Sequence, residues 1–112
     1  MNVKYKLFII ISMILLSENA FAFPANNCDA GKVSNLAANF YIIPDSTKTL
    51  TLNFVDQSSG SPTSWFWDFG DKSTSTNQNP IHTYGIAKKW TVTLKIKNAM
   101  GSNTTTKIIE FQ

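Results

Sequence analysis

The sequence lacks arginine and carries little charge of either sign, since only 15% of its 112 residues are charged. Its ten basic residues, all lysines, outnumber seven acidic residues and give a formal net charge of +3. Proteins that bind nucleic acid usually concentrate basic side chains, often arginines, on one face. The one dense basic stretch, 88–97, is more simply a solvated strand edge or loop. We therefore expect no nucleic-acid partner.

Reactive side chains are equally scarce, because the chain has one cysteine, Cys28, and one histidine, His82. A single cysteine cannot form an internal disulfide, so the thiol is either free or paired with another molecule, and the fold depends on its apolar core. One histidine and one distant cysteine cannot supply the ligands of a transition-metal centre. A hydrolase would need a nucleophile beside His82 and a third orienting group, an arrangement that spacing neither shows nor excludes. We expect no cofactor and no enzymatic activity.

The long apolar run of the chain lies in residues 1–22, which are typical of a secretory signal peptide. MNVKYK supplies two lysines, LFIIISMILL is apolar, and Ala20-Phe21-Ala22 offers small residues at the two positions that signal peptidase recognises. The run is shorter than the roughly 20 residues that cross a bilayer. We expect a mature chain of about 90 residues, starting near Phe23, secreted or periplasmic and not inserted in the membrane.

Beyond the signal, the sequence predicts one all-β domain. Residues 23–35 are rich in turn formers without periodicity and predict an N-terminal leader or arm. From 36 to 112 apolar and polar residues alternate, most clearly in TLTLNFVD (49–56) and WTVTLKIKN (90–98). Turn-forming segments such as QSSGSPTS and NAMGSN recur about every ten residues. This pattern predicts a two-sheet antiparallel β-sandwich.

The stretch SWFWDFGD, residues 64–71, combines large aromatic residues with two carboxylates. Strand alternation places Trp65, Trp67 and Phe69 on one side and Phe66 and Asp68 on the other. Each buried aromatic side chain removes about 150–250 Å² from water, so three on one face would dominate a small core. We therefore assign the tryptophans a structural role rather than a place in a ligand platform.

A corner follows this strand at Gly70, where a side chain would hinder the turn. Asp68 and Asp71 are suited to accept backbone N–H bonds around it. The same two carboxylates, joined by Asp56 or by backbone carbonyls, are the alternative ligands of a calcium site, although their spacing matches no EF-type loop. We expect no metal, and calcium remains the alternative.

Three segments in succession, SWFWDFGD, NPIHTY (79–84) and WTVTLKIKNAMGS (90–102), resemble the signatures of the PKD domain family over residues 36–111. The resemblance implies an immunoglobulin-like β-sandwich of about seven strands with Trp67 in its core. It also implies structural roles at the corner and in the H-x-Y segment, which we carry over to Asp68, Gly70, Asp71, Asn79, Pro80, His82 and Tyr84.

The sequence departs from the family pattern at two corners. Asp71 is followed by Lys72 where the family usually has glycine, and a left-handed lysine would be strained unless the loop differs. Trp90 takes the place of a family tyrosine, with an N–H instead of a hydroxyl. If that tyrosine makes a corner hydrogen bond, the bond must be formed differently here.

The resemblance implies an extracellular domain, of a kind credited with protein or polysaccharide contacts. We expect a small secreted binding module that mediates protein–protein or protein–carbohydrate contact through a sheet face or a loop end. Phe66 is the candidate partner contact, because alternation turns it away from the core. The alternative is a structural subunit of an envelope or extracellular assembly that pairs through an open sheet edge. The sequence leaves the partner and the oligomeric state open.

Overall fold

The computed structural model of this protein describes residues 7–10, as a backbone strand, and residues 35–112. These residues form strands connected by turns, with no helix among them. Accordingly, no helix that could cross a membrane is found in the described part of the chain. The strands are β1 (Leu7–Ile10), β2 (Phe40–Pro44), β3 (Thr51–Asp56), β4 (Ser64–Asp68), β5 (Thr74–Ser75), β6 (Ile81–Thr83), β7 (Lys89–Asn98) and β8 (Gly101–Phe111).

The strands of the described residues form two antiparallel sheets. One has five strands in the order β1-β8-β7-β4-β5, and the other has three in the order β2-β3-β6. Buried side chains from both sheets form one core cluster between them. The predicted all-β, immunoglobulin-like sandwich is therefore confirmed, with seven of its strands, β2 to β8, between residues 40 and 111.

Strand β7 shows why the sequence folds this way. Val92, Leu94 and Ile96 are completely buried, whereas the alternating Lys95 and Lys97 are exposed. A shift of one residue in the strand register would turn the apolar side chains to water and the lysines inward. Alternation therefore fixes both the face of β7 that meets the core and its pairing with β4 and β8.

The connection between β7 and β8 is tighter than the sequence indicates. Asn98 pairs with Gly101, so only residues 99 and 100 form the turn, and the remainder of the predicted NAMGSN turn continues as strand. The hairpin gives β8 eleven residues. It pairs with β7 from Gly101 as far as Glu110.

Strand β1 lies on the outer edge of β8, where Leu7 pairs with Phe111 and Ile10 with Ile108. These four residues belong to the segment predicted as a signal peptide. The rest of that segment, and the predicted leader up to residue 34 with Cys28, lie outside the described residues. The boundaries predicted for the signal and the leader therefore stay predictions.

Aromatic side chains bridge the two sheets at the centre of the core. Phe40 on β2 meets Trp67 on β4 edge-on, with ring centroids 5.0 Å apart, and Phe54 on β3 lies 5.0 Å from Phe69. Such tilted and edge-on contacts add to the area that each ring buries. The core is built from Leu36, Phe40, Ile42, Leu52, Phe54, Trp67, Phe69, Tyr84, Val92, Leu94, Ile96 and Ile109.

Candidate functional site

The two tryptophans of β4 differ in depth. Trp67 is fully buried, and its indole N–H donates to the carbonyl oxygen of Asn77 at 2.8 Å. Trp65 is only partly buried against the core, and its indole N–H donates to Oδ2 of Asp56 at 2.8 Å. The sequence predicts both rings inward, but Trp65 lies at the rim because its polar edge is held by a carboxylate at the end of β3.

The corner after β4 is closed by short-range hydrogen bonds. Oδ1 of Asp68 accepts from the amide of Gly70 at 2.9 Å, and Oδ1 of Asp71 accepts from the amide of Ser73 at 3.0 Å. Gly70 has φ of 83° and Lys72 has φ of 72°. Lysine thus occupies a left-handed conformation that glycine adopts without strain, at a cost of about 1–2 kcal/mol.

His82 ties the corner to strand β6. Its Nε2 donates to Oδ2 of Asp71 at 2.7 Å, and its ring stacks on Phe69 with centroids 4.2 Å apart. A third ring, Tyr84, lies nearly perpendicular to the imidazole with centroids 4.6 Å apart, and only 14% of the histidine side chain is exposed. This imidazole braces the corner, since one nitrogen is engaged and one face lies on Phe69.

The Asp71 carboxyl is held in its ionised form by these contacts. Burial by itself would raise its pKa, but the hydrogen bonds from His82 and from the amide of Ser73 outweigh burial, so the pKa lies below the ordinary value. An ionised carboxylate can only accept hydrogen bonds, which makes the His82 nitrogen the donor. The pair therefore stabilises the folded corner as long as Asp71 is ionised.

Acid is expected to weaken this corner through Asp71. Because folding lowers the pKa of its carboxyl, the stabilisation is present above the unfolded pKa of about 4 and is lost as the pH falls through the lower, folded value. In Asp71→Asn, the free energy of unfolding in urea should fall less between pH values of about 6 and 2.5 than in the parent. Equal pH dependence in both proteins would show that the carboxylate contributes nothing.

Tyr84 and Trp90 complete the same end of the core. The Tyr84 hydroxyl donates to the carbonyl oxygen of Phe69 at 3.0 Å, and burial, followed by the charges of Asp71 and Asp68, raises the pKa of this hydroxyl far above its ordinary value. The Tyr84 hydroxyl therefore stays protonated, and able to donate, at neutral and mildly alkaline pH. Trp90 stacks on Tyr84 with centroids 5.1 Å apart.

The hydrogen bond of Trp90 resolves the second departure from the family pattern. Its indole N–H donates to the carbonyl oxygen of Ile86, four residues earlier, at 3.2 Å. The ring supplies the packing volume, and the donor is directed to a carbonyl of the preceding loop. Trp90 therefore stands where the family has tyrosine, and its N–H bonds to a loop carbonyl.

Asp56 organises the opposite end of β3, a role that the sequence does not predict. Its Oδ2 accepts from Trp65 and, at 3.1 Å, from the side-chain amide of Gln78, while its own amide donates to Oδ1 of Asn79 at 2.9 Å. The next residue, Pro80, is buried and its carbonyl oxygen accepts from the amide of Phe54. These bonds fasten the N-P-x-H-x-Y segment to β3.

A metal site gains no support from this geometry. Among residues 35–112, no three His, Cys, Asp or Glu side chains come together in a way that could hold a metal ion. Asp56, Asp68 and Asp71, the candidate calcium ligands, each accept hydrogen bonds from neighbouring protein groups. Calcium therefore remains a hypothesis from the sequence.

The outer face of the five-stranded sheet is different in character. Phe66 points away from the core and 45% of it is exposed. Lys95 stands directly opposite on β7, and Lys97 stands opposite Ser64. A shallow groove of about 420 Å³ is lined by Ser64, Trp65, Phe66, Thr76, Lys95 and Lys97.

These features define an immunoglobulin-like sandwich with a W-D-F-G-D corner braced by an H-x-Y segment. The family model of the PKD domain matches residues 27–112. The chain belongs to the PKD domain family, which confirms the resemblance drawn from the motifs.

Two solved structures show the same fold. The PKD1 domain of Vibrio anguillarum Epp superposes with a TM-score of 0.63 and 28% identity, over 69% of this chain and 93% of that one. The PKD1 domain of the Vibrio cholerae metalloprotease PrtV gives a TM-score of 0.60 and 29% identity, over 67% of this chain and 95% of that one.

Curated relatives are much longer proteins. Microbial collagenase of Vibrio alginolyticus is 35% identical over 79 residues, which cover 65% of this chain but 10% of that protein. Collagenase ColA of Bacillus cereus is 45% identical over 42 residues, which cover 38% of this chain and 4% of that protein. The likeness thus covers only a short part of each collagenase.

Proposed function

We propose that this protein is a small exported, non-catalytic module that binds a protein or a glycan outside the cytoplasm. Two observations support export: residues 1–22 have the sequence of a signal peptide, and the relatives are modules of collagenases and a metalloprotease. The covered imidazole of His82 favours a non-catalytic role, since its Nε2 is bonded to Asp71 and its ring lies against Phe69 and Tyr84.

The position of the proposed binding surface is inferred from Phe66. Phe66 is an aromatic side chain 45% exposed, one residue from the buried Trp67, in a strand that pairs with β7 from Ser64 to Asp68 and with β5 at its last two residues. An exposed aromatic residue on a rigid strand loses little conformational entropy when it is covered by a partner. We therefore place the contact surface on the outer face around Phe66.

The test begins with the partner that is recovered with the protein from its native medium. Phe66→Ala should fold as the parent does and bind this partner at least about tenfold more weakly, the loss typical of a central aromatic contact. Ile81→Ala is the matched control, because Ile81 is 68% exposed but lies on β6 of the other sheet. Unchanged affinity in a folded Phe66→Ala protein would remove this face from the proposal.

Assembly through a sheet edge is the second candidate function. It is favoured by the pairing of β1 with the last residues of β8, which shows that this edge accepts an antiparallel strand. Removal of the predicted signal would take β1 away and leave the edge from Ile108 to Phe111 open to another chain. Light scattering on the exported protein separates the candidates, since a strict monomer contradicts self-assembly.

A further inference from the structure

The charge around Phe66 gives the binding face a definite chemical preference. Residues directly opposite in an antiparallel pair project from the same face of the sheet, which places Lys95 beside Phe66 and Lys97 beside Ser64. The two lysines, separated by one residue, are about 7 Å apart along the strand. Both are exposed, and neither has an ion-pair partner among residues 35–112.

Two carboxylates occupy the outer face of this sheet. Asp68 shares the face with Phe66, two residues along β4, where it stands opposite Thr93 and accepts from the Gly70 amide at the corner. Glu110 lies toward the far end of β7, where it pairs with Lys89 at 3.8 Å. The end that carries Phe66 therefore has two lysines without an ion-pair partner in the described part of the chain, against the one carboxylate of Asp68. Its excess positive charge, beside an exposed ring, is complementary to an anionic ligand.

Hydroxyl groups complete the surface. On β8, Thr104 is opposite Lys95 and Ser102 is opposite Lys97, and both are exposed. Two rows of side chains thus cross β4, β7 and β8. One row is Phe66, Lys95 and Thr104, and the other is Ser64, Lys97 and Ser102. Because neighbouring strands are about 4.8 Å apart, the three groups of each row lie side by side.

The β7 part of this surface offers no free backbone to a peptide. At Lys95 and Lys97, β7 is paired with β4 on one side and with β8 on the other, whereas β4 pairs with β5 only at Trp67 and Asp68. An extended peptide obtains much of its affinity from backbone hydrogen bonds to a free sheet edge. Recognition over the two lysines therefore depends on side chains alone.

A sugar that carries a carboxylate matches each of these groups. The face of a phenyl ring is electronegative and attracts the weakly positive C–H groups of a pyranose face. Ammonium groups bind carboxylates, and serine and threonine hydroxyls donate to and accept from sugar hydroxyls. We infer that the outer face formed by Phe66, Lys95 and Lys97 binds a uronate-containing polysaccharide. This inference rests on the proposed function and specifies its ligand.

Affinity electrophoresis of the full chain provides the test, with polygalacturonate in the gel as the anionic probe. Fully methyl-esterified polygalacturonate has the same backbone without the charge, so migration should be retarded by the first polymer and not by the second. Raising NaCl from about 50 to about 500 mM should weaken the binding severalfold, since exposed charges are screened.

Variants locate the binding surface. Phe66→Ala and the double variant Lys95→Gln/Lys97→Gln should each weaken the binding of polygalacturonate by about tenfold or more, with circular dichroism and melting temperature as in the parent. Ile81→Ala and Lys48→Gln are the matched controls, because both positions are exposed and lie outside β4 and β7. Both controls should bind as the parent does.

Each contrary outcome removes a different part of the inference. Equal binding of the esterified polymer would exclude a charge-selective site, and equal binding of polyglutamate or oligothymidylate would exclude a sugar-selective one. Failure to bind polygalacturonate would overturn the inference as a whole. The proposed function would still be judged separately by the Phe66→Ala experiment on the natural partner.

Discussion

Replacing Trp67 by alanine is expected to destabilise the domain by about 3–5 kcal/mol, a large part of the 5–15 kcal/mol or so that holds a small domain folded. The indole is fully buried, with ring centroids 5.0 Å from Phe40 and 5.6 Å from Phe54. The substitution creates a cavity between the sheets and leaves the Asn77 carbonyl without its donor. Urea unfolding followed by far-UV circular dichroism measures the loss.

Phe66→Ala is the matched control for this substitution, since it removes an aromatic ring from the adjacent position of the same strand. The ring is 45% exposed on the outer face, so the expected loss of stability is below about 1 kcal/mol. Comparable losses in the two variants would contradict the assignment of Trp67 to the core and Phe66 to the surface.

Gly70→Ala is expected to cost about 2–4 kcal/mol, the second large effect. Gly70 has φ of 83°, and a Cβ atom there would lie 2.5 Å from the carbonyl oxygen of Thr91, closer than the 3.0 Å below which real Cβ contacts essentially do not occur. The obstacle is backbone of the central strand β7, which cannot rotate away as a side chain would. The melting temperature and the urea midpoint should both fall.

Gly85→Ala separates this steric effect from the general effect of adding a methyl group. A Cβ atom at Gly85 would meet no atom within 4 Å, and its φ lies outside the left-handed range. The variant should be neutral or more stable by up to about 1 kcal/mol, because alanine restricts the unfolded chain. Equal destabilisation at both glycines would contradict a specific clash at the corner.

The fold was predictable from sequence because alternation is a local property. Val92, Leu94 and Ile96 recur at every second position, and a strand with one apolar face must bury that face against a second sheet. The same parity separates Trp67, with no exposed surface, from Phe66, with 45% exposed. The turn roles of Asp68 and Asp71 follow equally from residues close to them in the chain.

The contacts of Trp65 and Asp71 lie beyond such reasoning. Parity turns Trp65 inward but does not reveal that Asp56, on another sheet, holds its indole at the rim. Asp71 and His82 are eleven residues apart in the chain, and this spacing does not specify that their side chains lie 2.7 Å apart. Both contacts depend on how the two sheets are superposed.

By itself, the sequence determined which face of each long strand is apolar, and hence that the chain folds as a two-layer sandwich with the glycine corner after β4. Only the tertiary structure decided which groups become neighbours across strands and sheets, among them Phe66 with Lys95 and His82 with Asp71. The physical reason is that alternation is set by backbone geometry within one strand, whereas neighbours across the molecule are set by register and sheet packing.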